Sequence, residues 1–195
     1  LKISQGLDSK NKITYGSTED SDVFIWDFSI EGGSLNEVSG LRAVYYVNGE
    51  LLSIRIGSPW LCNVYNGAAA ISGGIAMGAS LDDIREGLNR FQPLEGRMQI
   101  VTKKGITIMD DTYNANPESV AAALNTLGRV GTRKVAVLGE MLELGEISKE
   151  EHRRIGALAA DINPDMLVSV GSMAEEVKQA AIEAGMSEEK IFAVK

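Results

Sequence analysis

Between Ile106 and Val194, short apolar runs alternate with capped helical patterns, and this alternation limits the fold more than any other feature of the chain. Ile106-Thr-Ile-Met109, Lys134-Val-Ala-Val-Leu138, Met166-Leu-Val-Ser-Val170 and Ile191-Phe-Ala-Val194 are β-branched or aliphatic and of strand length. The segments between them carry helix signals. Asn116 is a good N-cap, Pro117 suits the first helical position, and Glu118 complements the positive helix end. Val120, Ala123, Leu124 and Leu127 then form one stripe, and Gly128 is placed to stop the helix. Ser148-x-x-Glu151 and Ser172-x-x-Glu175 read as capping boxes, the first opening a helix with Ile155, Leu158 and Ala159 inward. Each strand–helix–strand passage is long enough for a right-handed crossover. An α/β fold is expected, with a Rossmann-like parallel sheet whose loops gather on one edge.

Upstream the period changes. Lys12-Ile-Thr-Tyr-Gly16, Val23 to Ile30 and Leu41 to Ile56 are β-like, and Asn48-Gly49 between apolar flanks is a strong hairpin signal. An antiparallel meander is expected, with Phe24, Trp26 and Tyr45 as core or half-buried sheet residues. From Asn63 the spacing becomes helical through Val64, Ala68, Ile71 and Ile75. A second helix opens at Ser80, with Asp83 three residues on and Leu81, Ile84, Leu88 and Phe91 on one face. Gln92-Pro-Leu-Glu-Gly-Arg97 continues neither pattern, so the chain divides into units of residues 1–96 and 97–195. Met98 to Thr102 and Gly105 to Met109 should pair across Lys103-Lys104-Gly105.

Composition excludes several classes. The formal charge of −8, from 27 acids against 19 bases, argues against nucleic-acid binding through a basic face. One cysteine, Cys62, cannot make an internal disulfide or a cysteine zinc cage, which suits a reducing cytoplasm. No apolar run reaches the length of a membrane span, and no basic-then-apolar signal opens the chain, so membrane insertion is not expected. The chain begins at Leu1, as an excised piece or a processed chain would.

Asp110 and Asp111 arrive at a strand's carboxyl end, followed by a polar loop and a helix N-terminus, the usual ligand edge of an open α/β sheet. Paired acids there suit magnesium or sugar hydroxyls, or simply solvate the strand end. Thr112 to Asn116 offers hydroxyl and amide partners where a carboxylate is favoured. Asn63 and Asn66 cap the first helix or bind ligand with about equal weight on spacing alone. Arg97 alone reads as a surface arginine, and His152, in a first helical turn beside Glu150 and Glu151, as a surface or capping histidine.

Asp110-Asp-Thr-Tyr-Asn-Ala-Asn-Pro-Glu-Ser119 resembles a signature of the Mur ligases of peptidoglycan synthesis, of the type that joins D-alanyl-D-alanine to UDP-N-acetylmuramoyl-tripeptide. Val137-Leu-Gly-Glu-Met-Leu-Glu-Leu-Gly145, with His152 after it, is similar to that type's second C-terminal motif. Asn63-Val-Tyr-Asn66 looks like the family's Asn-x-x-Asn helix start. The resemblance runs from about Lys12, most specifically over Asn63 to Gly145. Cys62 and Trp60 depart from the histidine and glycine common in relatives, which leaves the fine geometry of the adenine side open.

The resemblance implies ATP and Mg2+ as cofactors, with Asn63 and Asn66 at the adenine and Arg97 and Asp111 at the ribose. It implies Thr112, Tyr113, Asn114, Asn116, Glu140 and Leu142 at the D-alanyl-D-alanine side. No protein metal ligand and no nucleic-acid partner are implied, and a cytoplasmic monomer acting on small molecules is expected. Residues 1–96 would be the end of the central ATP-binding domain and 97–195 most of the C-terminal domain. The sequence holds no Gly-x-x-x-x-Gly-Lys-Ser/Thr, so the phosphate-binding loop and catalytic residues are expected upstream, and this stretch alone is expected to be inactive. Two other classes compete: a receiver-like magnesium-binding module, which would want a phosphoacceptor aspartate and a lysine at later strand ends, and a nucleotide-sugar-binding Rossmann domain, which would want Gly-x-Gly-x-x-Gly.

Overall fold

The structure is a computed structural model and describes residues 12–32, 39–129 and 133–195. Its first sheet has the order β1 (Tyr15–Gly16), β2 (Val23–Glu31), β3 (Gly40–Val47), β4 (Glu50–Ile56). The hairpin at Asn48-Gly49 forms as expected. Both turn residues take positive φ, 51° and 86°, as a two-residue turn matched to strand twist requires. The meander is not wholly antiparallel, because the short β1 runs parallel to β2.

Trp26 corrects the expectation of burial, being 59% exposed. Val23 and Ile25 point into the core, so alternation along β2 puts Trp26 on the outer face, edge-on to Phe24 at 6.0 Å, and the pairing with β3 shifts at this residue, between Ile25 and Asp27. Tyr45 is fully buried in the opposite face, and its hydroxyl donates to the Val64 carbonyl at 2.9 Å. Burial raises the Tyr45 pKa well above its ordinary value.

Two helices, α1 (Cys62–Ala76) and α2 (Leu81–Asn89), pack on this sheet through Val64, Ala68, Ile71 and Ile84. Ser80 and Asp83 form the reciprocal capping box. Asn63 and Asn66 do not cap α1. Leu61 is its N-cap, Asn63 is buried inside the helix, and Asn66 Nδ2 donates to Asn63 Oδ1 at 3.0 Å.

Downstream, β5 (Gln99–Lys103) and β6 (Ile106–Asp110) form an antiparallel hairpin, followed by α3 (Pro117–Arg129). A separate parallel sheet then takes the order β7 (Val135–Leu138), β8 (Met166–Val170), β9 (Ile191–Val194). The helices α4 (Ser148–Ile162) and α5 (Ala174–Glu183) supply its crossovers. The strand that delivers Asp110 and Asp111 therefore pairs with its hairpin partner and not with the parallel strands.

Helix α3 is capped by Asn116, whose Oδ1 accepts from Ser119 N at 2.9 Å. It runs through Gly128 and is not stopped by it, and a side chain there would press on Ile162 of α4. Neither Ser148 nor Ser172 caps a helix. A 3-10 turn, Gly145–Ile147, leads into α4 and makes Ser148 already helical, and Ser172 has a different partner, described below. Leu124, Met141, Ile155, Leu167, Val177 and Ile191 form the second core, distinct from that of the first sheet. No helix of the described residues is long and apolar enough to cross a membrane.

Candidate functional site

The chain between the two cores is fastened to the loop after β6. Gly96 takes φ 69° and its carbonyl accepts from Tyr113 N at 3.0 Å, and a Cβ at Gly96 would crowd that same nitrogen. Met98, at φ 52° and 1% exposed, donates its N–H to Asp111 Oδ1 at 3.1 Å, and its carbonyl accepts from the buried Ser58 hydroxyl at 3.4 Å. Between these two bonds the Arg97 guanidinium lies 4.0 Å from the centre of the Tyr113 ring.

Arg97 also walls a cleft of about 260 Å³ with Trp60, Asn63, Phe91, Pro93 and Leu94. Two residues expected at a nucleotide, Asn63 and Arg97, are thus brought to one cavity from elements on either side of the linker. Of the other walls, Phe91, Pro93 and Leu94 carry no ligand signal of their own in the sequence, being apolar residues in or beside a linker. Trp60's indole N–H is buried and has no partner among the described residues, a donor that a ligand acceptor would satisfy. Asp111 is half-buried. Burial pushes its pKa up, the Met98 amide and Arg97 pull it down, and the Asp110 charge pushes it up again. Cys62, at the start of α1, has its thiol pKa raised by burial and then by the Asp111 charge.

Asp110 and Asp111 do not converge on one point. Asp110 Oδ1 accepts from Thr112 N and Oγ1 at 3.2 and 2.7 Å, closing its own turn, while Asp111 turns to Met98. Among the described residues no group of three His, Cys, Asp or Glu side chains could hold a metal.

The rest of the loop is shaped by its own polar groups. Asn114 Oδ1 accepts from Ala115 N at 3.0 Å, and Asn116 caps α3, so the loop ends at a helix N-terminus. Ala115 packs on the second core, to which Met141 of the loop after β7 also belongs. There Glu140 is held by Ser172, with Oε1 2.5 Å from the hydroxyl and Oε2 2.9 Å from the amide N–H. Those two bonds keep the Glu140 pKa below its ordinary value. Ser172 was expected to cap a helix; its place directly after β8, on the ligand edge, was the available signal. Leu142, beyond Glu140, is 69% exposed.

His152 is not a surface histidine. It is 2% exposed, its Nε2 accepts from Met141 N at 3.0 Å, and its Nδ1 lies 2.7 Å from the Ser148 carbonyl. Since Met141 N must donate, Nε2 carries no proton, and Nδ1–H donates to Ser148.

Parallel strands joined by helices, with cross-linked loops at their carboxyl ends and a cleft at the preceding linker, define a Rossmann-like α/β unit. A family described as "Mur ligase, glutamate ligase domain" matches residues 96–195, and the chain belongs to the Mur ligase family. The UDP-N-acetylmuramoyl-tripeptide--D-alanyl-D-alanine ligase of Mycobacterium tuberculosis is 36% identical over 147 residues, 71% of this chain and 29% of that protein. The crystal structure of MurF from Acinetobacter baumannii superposes with a TM-score of 0.80 at 30% identity, covering 94% of this chain and 37% of that one. MurF ligase from Thermotoga maritima in complex with ADP gives a TM-score of 0.76 at 27% identity over 95% of this chain and 39% of its own. The chain thus spans about a third of the length of these relatives.

Proposed function

We propose that this chain is part of an ATP-dependent, ADP-forming ligase that adds D-alanyl-D-alanine to UDP-N-acetylmuramoyl-tripeptide in peptidoglycan precursor synthesis. The carrying observation is the cleft shared by Asn63 and Arg97, because the likeness extends to a relative crystallised with ADP. In this reading residues 1–96 end the ATP-binding domain and 97–195 form most of the C-terminal domain. Asn63 and Asn66 face the adenine, and Arg97 and Asp111 the ribose. One Asp111 oxygen is engaged by Met98, which leaves the other for a hydroxyl.

The tripeptide carboxylate attacks the terminal phosphate of ATP, giving an acyl phosphate and ADP. The amine of D-alanyl-D-alanine then attacks the acyl carbon, phosphate leaves, and an amide remains. This chain's part in the second step is to hold the dipeptide with its amine free. The exposed N-terminus of α3 favours the dipeptide carboxylate, with Thr112, Tyr113, Asn114 and Asn116 around it and Glu140 and Leu142 opposite. Mg2+ bound together with ATP would supply neutralisation of the charge on the transferred phosphate. Both ATP and a UDP-linked substrate place the reaction in the cytoplasm, with the enzyme acting as a monomer.

The test uses the full-length protein and phosphate release with each substrate varied in turn. Arg97→Ala is expected to raise the KM for ATP about tenfold to a hundredfold, the cost of a lost charged contact, with the dipeptide KM nearly unchanged. Phosphate release that does not require D-alanyl-D-alanine would refute the assignment.

A further inference from the structure

His152 is the chain's one histidine, it is buried, and the reaction outlined above makes no use of it. It stands on α4, yet its ring reaches the loop between β7 and the 3-10 turn. That loop is held at two adjacent residues by different elements. Glu140 is gripped through its carboxylate by Ser172, and Met141 through its amide by His152 Nε2 while its side chain is buried in the second core. Past these anchors the backbone turns through left-handed conformations, φ 64° at Glu143 and 55° at Gly145. A non-glycine residue rests at such an angle only where its surroundings impose it. What projects from the held loop is the exposed Leu142.

We propose that His152 is a positioning residue, whose neutral imidazole fixes the Glu140–Leu142 loop as one wall of the D-alanyl-D-alanine site. It touches no substrate and acts through the Met141 amide. The proposal rests on the functional reading above. A neutral histidine suits the task because it donates to α4's own Ser148 carbonyl at one nitrogen and accepts from the loop at the other. The Ser148 bond sets the ring's orientation, and the Met141 bond transmits it.

Two substitutions separate these bonds. In His152→Gln the side-chain oxygen can reach where Nε2 stood and accept from Met141 N–H. In His152→Asn the shorter amide can reach the Ser148 carbonyl only. Hydrogen exchange of residues 139–144 is measured first, on the wild-type protein and both variants. Loss of one bond to a buried amide corresponds to about tenfold faster exchange. That acceleration is expected in His152→Asn, with His152→Gln near wild type. Steady-state kinetics on the full-length protein should show the dipeptide KM raised about tenfold in His152→Asn, largely restored in His152→Gln, and the ATP KM unchanged in both. Equal exchange in all three proteins overturns the anchoring role, and an equal rise of both KM values overturns its assignment to the dipeptide side. If the wild-type enzyme ignored D-alanyl-D-alanine altogether, the functional reading and the substrate half of this proposal would fall together, while exchange would still decide whether His152 holds the loop.

Discussion

Replacing Asp111 separates its structural from its ligand-binding role. Its Oδ1 accepts the N–H of Met98, a residue with a buried side chain and φ 52°. In Asp111→Ala that N–H is left without its partner, a loss of about 1–3 kcal/mol. Against this, burial of the Asp111 carboxylate is itself unfavourable, as its raised pKa indicates, and removing the charge recovers part of the loss. The net expectation for alanine is a destabilisation of about 1–2 kcal/mol. Asp111→Asn keeps an acceptor oxygen and sheds the charge, so it should lie within about 0.5 kcal/mol of wild type at neutral pH, or above it.

The pH dependence has a definite sign. A carboxyl whose folded pKa is raised costs stability while it is ionised, and that cost disappears as pH falls through the folded pKa. Any advantage of Asp111→Asn over wild type is therefore greatest at neutral pH and fades on acidification. Urea unfolding of residues 1–195 followed by tryptophan fluorescence is the assay, in a Trp26→Phe background so that Trp60, beside the linker, is the one tryptophan of this stretch. If asparagine destabilised as much as alanine, or if alanine cost nothing, the Met98–Asp111 bond would not be what holds the linker to the loop.

Gly67→Ala should destabilise by about 2–3 kcal/mol in a thermal melt, because the new methyl group would collide with the Tyr45 hydroxyl buried between α1 and the first sheet. Adding Tyr45→Phe should return part of the loss, and a Gly67→Ala protein that melted like wild type would contradict this packing. Ser172→Ala should raise the Glu140 pKa toward its ordinary value in a carbon-detected NMR titration. The stability linked to that lowered pKa is present above the ordinary carboxylate range and is lost as pH falls through the folded value, so the variant should lose this dependence.

Local features were legible in the sequence because they depend on neighbours in the chain. The Asn48-Gly49 turn, the Ser80–Asp83 capping box, the Asn116 cap and the alternation of strands with helices each formed where the residue pattern put them. Asn63, Arg97, Asp111 and Glu140 could be named as candidates through the resemblance of their motifs to the family, since Arg97 by itself reads as a surface arginine. Their partners could not be. Ser148 and Ser172 carry equally good capping signals, yet a 3-10 turn absorbed the first and a carboxylate 32 residues away took the second. His152 sits among charged residues and looks exposed until α4 folds onto the loop after β7. In each case a contact between residues far apart in sequence outweighed a local preference worth about 1 kcal/mol. The cleft of Trp60, Asn63, Phe91 and Arg97 is likewise a product of two helices and a linker meeting, a juxtaposition that no residue pattern along the chain encodes by itself.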